Sequence, residues 1–152
     1  MTMANPKNDI YYAAALIEFV SRKTKNHRAD VCKALGVEGI RLHYKLAETS
    51  HCLSFEEVSD EVIEDFGIQP GNFSPELQIE NPPSFLAIGK NYADLVEDSQ
   101  PDPARYPDEL YAIMCSKISD WMTDYRSAFY YSPRDYFRLE YEELKEGEVQ
   151  AQ

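Results

Sequence analysis

Arg22, Lys23, Lys25 and Arg28 crowd around His27 in the stretch SRKTKNHR, residues 21–28. Cationic side chains at this density suit a phosphate or carboxylate ligand, so Arg22, Lys23, Lys25, His27 and Arg28 form a candidate anion-binding patch. A small enzyme or nucleotide-binding module built on that patch is one function open to the chain. The charge distribution favours a different use. Residues 1–45 hold 8 Lys/Arg against 4 Asp/Glu, the remainder holds 7 against 23, and the formal net charge is −12. Opposite charges on two parts of one chain are most simply used by pairing with each other. Cations at a helix C-terminus also oppose the negative end of its dipole.

A second cluster is aromatic. FYYSPRDYF, residues 129–137, spends five rings in nine residues around a helix break. Trp121 and Tyr125 precede it at helical spacing, and for these two core packing is the simpler account. Tyr and Phe beside an arginine bury large area at low entropic cost, which is interface material. Trp121, Tyr125, Phe129, Tyr130, Tyr131, Arg134, Tyr136 and Phe137 are the candidate partner-binding residues.

Other chemistries find less. Val31, Cys32, Leu35, Gly36, Val37 and Leu42 roughly fit a helix-turn-helix, a further alternative. Its recognition helix would open Glu38-Gly39-Ile40, with Arg41 and Lys45 as its only basic groups. The acidic remainder opposes phosphate, so nucleic acid is not the expected partner. Glu48 and His51 make one E-x-x-H, where a di-metal bundle needs two copies and further carboxylates. Asp94/Asp98 and Asp120/Asp124 are carboxylate pairs at helical spacing, read as solvated faces. His43 sits among core positions and is read as a buried, satisfied histidine. Cys32, Cys52 and Cys115 are odd in number and lack zinc spacing, which suits reduced thiols in a cytoplasm. There is no G-x-S-x-G, P-loop or G-x-G-x-x-G, and IGKNY has Gly89 and Lys90 without a loop around them. No metal, cofactor or catalytic residue is called for.

The elements that must position these groups are helical. Ile10, Ala13, Ala14, Ile17, Val20 and Thr24 form one stripe of a helix from about Asp9. A short helix is predicted over Arg28 to Leu35 with Gly36 as its stop, then a third carrying Ile40, His43, Tyr44, Leu46 and Ala47. Ser54 and Glu57 make a capping box for a helix ended by Gly67. QPGNFSPELQIENPPS holds four of the nine prolines and no helical period, so residues 68–84 are a linker or loop. Beyond it, Phe85 to Val96 is helical. One long helix from Pro107 turns Leu110, Met114, Ile118, Trp121 and Tyr125 inward. Ser132, Pro133 and Asp135 open a last helix. The prediction is an all-α bundle of about six or seven helices. The spacing permits an N-terminal lobe (1–67, basic face), the linker, a C-terminal lobe (85–145) and a frayed tail (146–152). The longest uncharged apolar run, residues 10–17, is too short for a membrane span and lies between Asp9 and Glu18, so a cytoplasmic protein without a membrane segment is expected.

From ALIEFVSRKTKNHRADVCKALGVEGIRLHYKLAETSHCLSFEEVSDEVIEDF, the chain resembles short bacterial proteins of unknown function over about residues 10–66. Some of these are encoded beside ADP-ribosyltransferase-like toxins and are presumed to be their antitoxins. The shared features are the amphipathic first helix, the short basic helix, Y-x-L and the acidic helix EEVSDEVI. Ala47 stands where those proteins tend to carry a histidine. The resemblance implies a partner protein, with a co-encoded one among the candidates, and assigns no catalytic residue. The expected function is an acidic, non-enzymatic interaction or inhibitory protein, with a homodimer as another use of the aromatic patch.

Overall fold

The computed structural model describes residues 5–50, 52–125 and 129–151, the side chains of 148–151 excepted. Within these residues the chain is all helical: α1 (Pro6–Thr24), α2 (Arg28–Ser50), α3 (Phe55–Asp65), α4 (Phe85–Ser99), α5 (Tyr106–Met114), α6 (Ile118–Thr123) and α7 (Arg134–Ala151). No described helix is long and apolar enough to cross a membrane.

α1 starts earlier than its apolar stripe because Asn5 caps it, accepting from the Asn8 amide, with Pro6 in the first turn. The expected stripe is buried, and so are Tyr12, Ala15, Leu16, Glu18 and Ser21 on other faces. α1 is the central helix, packed by α2, α3, α4 and α5. Gly36 takes φ 69 and ψ 173 inside α2, a backbone conformation that only glycine adopts cheaply. The helix stop read from the sequence at Gly36 is therefore a sharp kink between two helical halves.

α3 begins as its capping residue requires, Ser54 Oγ accepting from the Glu57 amide at 3.1 Å. The long helix expected from Pro107 is two. Ser116 interrupts it, its hydroxyl donating to the Ile113 carbonyl and accepting from the Ile118 amide. A serine that satisfies backbone groups on both sides of a break competes with the helical ladder. The chain turns there, so Tyr125 lies past α6 rather than on it. α7 continues to Ala151, beyond the fraying expected from Glu146.

One core serves both halves of the chain. Ile10, Leu16 and Ile17 of α1 join Ile88, Tyr92 and Leu95 of α4 and Leu110 and Ile113 of α5 in a single buried cluster. The proline-rich segment joins no separate lobes. It is stitched to the end of α1, where Gly71 and Phe73 amides donate to the Thr24 and Lys25 carbonyls, both at 2.8 Å. An ionic cluster fastens α1, α4 and α7 to one another: Lys7 of α1 bonds Asp94 and Glu97 of α4, and Arg134 of α7 bonds Asp94, Glu97 and Asp98.

Candidate functional site

The residues singled out for chemistry fall into two places, the end of α1 and the surface around the start of α7. At the end of α1 the helix closes with Lys25 in the left-handed region (φ 59) and its amide bonded back into the last turn. The side chains of the basic stretch then diverge. Lys23 reaches α3 and bonds Glu56 and Asp60, both at 2.6 Å. Arg22 bonds Glu18 at 3.1 Å and the Pro83 carbonyl at 2.7 Å. His27 stacks face to face on Phe73, ring centroids 3.6 Å apart. Lys25 has no ion pair among the described residues.

Arg28 goes inward. Its side chain is 3% exposed and bonds Glu18, itself 4% exposed, at 2.7 Å. One of its terminal nitrogens faces the Tyr92 hydroxyl (3.0 Å), the Ser119 carbonyl (3.0 Å) and the Thr123 hydroxyl (2.9 Å). The guanidinium also lies 5.0 Å from the centroid of the Tyr92 ring. Ser119 Oγ donates to the Met114 carbonyl, so the contact between it and Tyr92 is one in which the phenol donates. Burial pushes the Glu18 carboxyl up, but the charges and hydrogen bonds of Arg28 and Arg22 outweigh it and hold the group below its usual range. Burial likewise opposes the charge on Arg28, and Glu18 more than restores it.

These contacts correct the anion-binding expectation. Three of its four cations are already matched by carboxylates of the same chain, and the strongest is inside the protein. The sequence did not single out Glu18, Tyr92, Ser119 or Thr123 as partners. The available signal was Glu18 itself, an acid within the apolar ALIEFV and four residues before Arg22.

Over this network opens a cleft of about 320 Å³ between the 68–84 segment and the end of α6, lined by His27, Phe73, Pro75, Asp120 and Tyr125 among others. A pocket of about 10 Å³ continues inward to Glu18, Arg22 and Arg28, room for one water. The Thr123 hydroxyl on the shared wall donates to the Ser119 carbonyl at 2.8 Å while accepting from Arg28. It is thereby held as a structural link rather than freed as a nucleophile.

The aromatic residues divide by burial. Tyr125 (4% exposed) and Phe137 (5%) belong to the core. Phe129 packs on Trp121, Tyr136 and Phe137 and is half-buried, as are Trp121 and Tyr130. Tyr131 and Tyr136 remain, 71% and 42% exposed, with Leu139 beside them at 50%. The candidate patch is therefore smaller than expected, and it gains Leu139, which the sequence reading omitted. Arg134 is not offered to a partner, being forked onto Asp98 at 2.7 Å through two nitrogens.

Comparison with protein-family models, with curated proteins and with solved structures returns no match. The site must be judged on its own geometry. Arg41, the main cation of the helix-turn-helix alternative, bonds Asp108 at 2.8 Å, and Gly39 beside it packs against Phe66. Asp94 and Asp98 form ion pairs with Lys7, Lys90 and Arg134 rather than making a solvated face. His51 of the E-x-x-H lies outside the described residues.

His43 is buried as expected, but its Nδ1 finds no hydrogen-bond partner among the described residues. Burial lowers its pKa, against the partial opposition of Glu61 and Asp65. The folded protein therefore takes up the proton less readily than the unfolded chain, and stability present above pH 6.5 falls as the pH drops toward the folded-state value. The slope it adds is at most about 1.4 kcal/mol per pH unit. Urea midpoints between pH 5 and 8 should show this slope in the wild type and lose it in His43→Leu. A slope of the same size in the variant would assign the effect elsewhere.

Proposed function

We propose that the chain is an acidic binding protein without catalytic work of its own, which covers a basic surface on another protein. The observation that carries this reading is the exposed Tyr131, Tyr136 and Leu139 at the start of an acidic helix. Residues 134–151 hold three Lys/Arg against six Asp/Glu. All three cations are turned to internal carboxylates: Arg134 to Asp98, Arg138 to Glu142 and Lys145 to Glu109. Asp135, Glu143 and Glu146 of the same helix stay exposed. Rings that lose little entropy on burial supply anchors, and the surrounding carboxylates supply steering and selectivity for cations. The resemblance over residues 10–66 extends the proposal to a class of partner, a co-encoded toxin whose basic cleft would be occluded.

Native pull-down from the source cell should retain one partner on the wild type, with retention falling as salt is raised. Tyr131→Ala/Tyr136→Ala/Leu139→Ala should lose it while circular dichroism and Tm stay unchanged, at a cost of about 2 kcal/mol or more for an anchoring ring. Phe137 and Tyr125 are left intact because truncating core rings would unfold the module. Undiminished capture by the triple variant would remove this face from the function. Retention of the chain's own copies alone, with a dimer mass by light scattering, would replace the foreign partner by a homodimer.

A further inference from the structure

The cleft between the 68–84 segment and the end of α6 is used by neither the binding face nor the buried network. Its volume of about 320 Å³ falls in the range of small-molecule sites. Both of its walls are tied down. On one side His27 stacks on Phe73, whose amide donates to the Lys25 carbonyl at 2.8 Å. The Asn26 side-chain amide donates across to the Gln69 carbonyl at 2.8 Å, and Gly71 lies so close to Lys25 and Asn26 that a β-carbon there would have no room. On the other side Tyr125 is 4% exposed, and its hydroxyl accepts from Arg22. The rings are therefore in place before anything binds, which lowers the entropic cost of binding.

The two ends of the cleft differ in charge. Behind Phe73 and Tyr125 only the one-water pocket remains, where two guanidinium groups, Arg22 and Arg28, stand against the carboxylate of Glu18. Asp120 and Asp124 line the outer cleft and not this inner pocket. The Asp124 amide bonds the Asp120 carbonyl at 3.2 Å, so the two side chains leave one face of the chain a turn apart, where like charges repel. Asp120 is exposed and forms no ion pair among the described residues. The carboxylate pair read from the sequence as a solvated face is thus part of the wall of a concave site.

We propose that this cleft binds a small organic cation with a flat apolar body, of the amidinium, guanidinium or arylammonium kind. Its charged end lies on Asp120 and Asp124, and its body lies against Phe73 and Tyr125. Ring faces attract cations and cover flat apolar surface, and a carboxylate takes two parallel N–H bonds from an amidinium or guanidinium. An anion is repelled by the same carboxylates. A neutral ligand would take water from them and return no charge. A bare metal ion suits the site less, because no three His, Cys, Asp or Glu among the described residues are grouped to hold one. Arg22 and Arg28 fix the orientation, since they repel a cation from the inner end and leave its charge outward.

Benzamidine, titrated at physiological salt into the ¹⁵N-labelled full chain, should move the backbone amides of Phe73, Asp120 and Tyr125 saturably. A Kd of about 1 mM or tighter is expected for a ligand of this size. Benzamide, its neutral isostere, should leave those amides in place, and this comparison needs no variant. Asp120→Asn, at an exposed position, should weaken benzamidine at least about tenfold. Glu38→Gln removes the same charge from α2, at a residue that lines neither pocket, and should leave the Kd unchanged. Equal shifts with benzamide would show that the cleft does not read charge. Equal weakening by Glu38→Gln would reduce the binding to the general acidity of the chain. Either result, or the lack of any saturable shift at these amides, would overturn the proposal.

Discussion

Arg28→Ala should cost about 3–5 kcal/mol of stability, and Glu18→Ala about as much. Both side chains are almost fully buried, so truncating one leaves the other as an ion with no adequate counter-charge. Arg28→Ala strands the carboxylate of Glu18 with only the partly exposed Arg22 beside it. It also withdraws the donor that serves Tyr92, the Ser119 carbonyl and Thr123, leaving buried acceptors to find other partners. Glu18→Ala strands a guanidinium that cannot lose its proton at any working pH.

The pair is a poor source of net stability compared with apolar packing, so Glu18→Leu/Arg28→Met should cost much less than the sum of its singles. Urea melts of the two singles and the double test this, and strict additivity would mean that the two groups act independently. Acid gives a second readout. Glu18 is held below its usual pKa in the fold, so its contribution is complete above about pH 4.5 and fades as the pH falls through the folded-state value. A Glu18→Gln variant should flatten that acid limb.

How far the sequence leads is clear at this same pair. The all-helical class, the stop at Gly36, the Ser54 cap and the start of α4 are local signals, carried by residues within one or two turns of the event. They appear in the structure close to where they are read. The fate of the basic stretch is not local. Arg22, Lys23 and Arg28 look alike in sequence, and their roles separate only because α3 brings Glu56 and Asp60 to one and α4 and α6 bring Tyr92 and Ser119 to another. The aromatic segment shows the same limit. Its composition announces a surface or a core without deciding which, and in the fold Tyr125 and Phe137 fall in the core and Tyr131 in solvent. The break at Ser116 was also hidden, since the apolar period runs through it unbroken and only the hydroxyl's two hydrogen bonds reveal the interruption.

The second large effect is at a glycine that the sequence offered only as part of IGKNY. Gly89 of α4 faces Ala15 of α1 so closely that a β-carbon on it would stand 2.9 Å from the Cα, N and Cβ of Ala15. Two of those atoms are main chain and cannot rotate away. The small residues Ala13, Ala14 and Ala15, none more than 1% exposed, let the central helix and α4 approach at this point. On helix propensity alone Gly→Ala gains about 1 kcal/mol. At Gly89 the sign should reverse, with a loss of about 1–3 kcal/mol for Ala and more for Val as the two helices are forced apart. Gly147 on α7 supplies the control, since its added β-carbon would meet nothing within 4 Å. Gly147→Ala should be neutral or stabilising. Ala15→Gly should recover part of the Gly89→Ala loss by removing the facing methyl, but not all of it, because the main-chain atoms of residue 15 remain. If Gly89→Ala stabilises the protein as Gly147→Ala does, the close approach of α1 and α4 is not what holds the core together. The packing of α2 on α5 would then have to carry it.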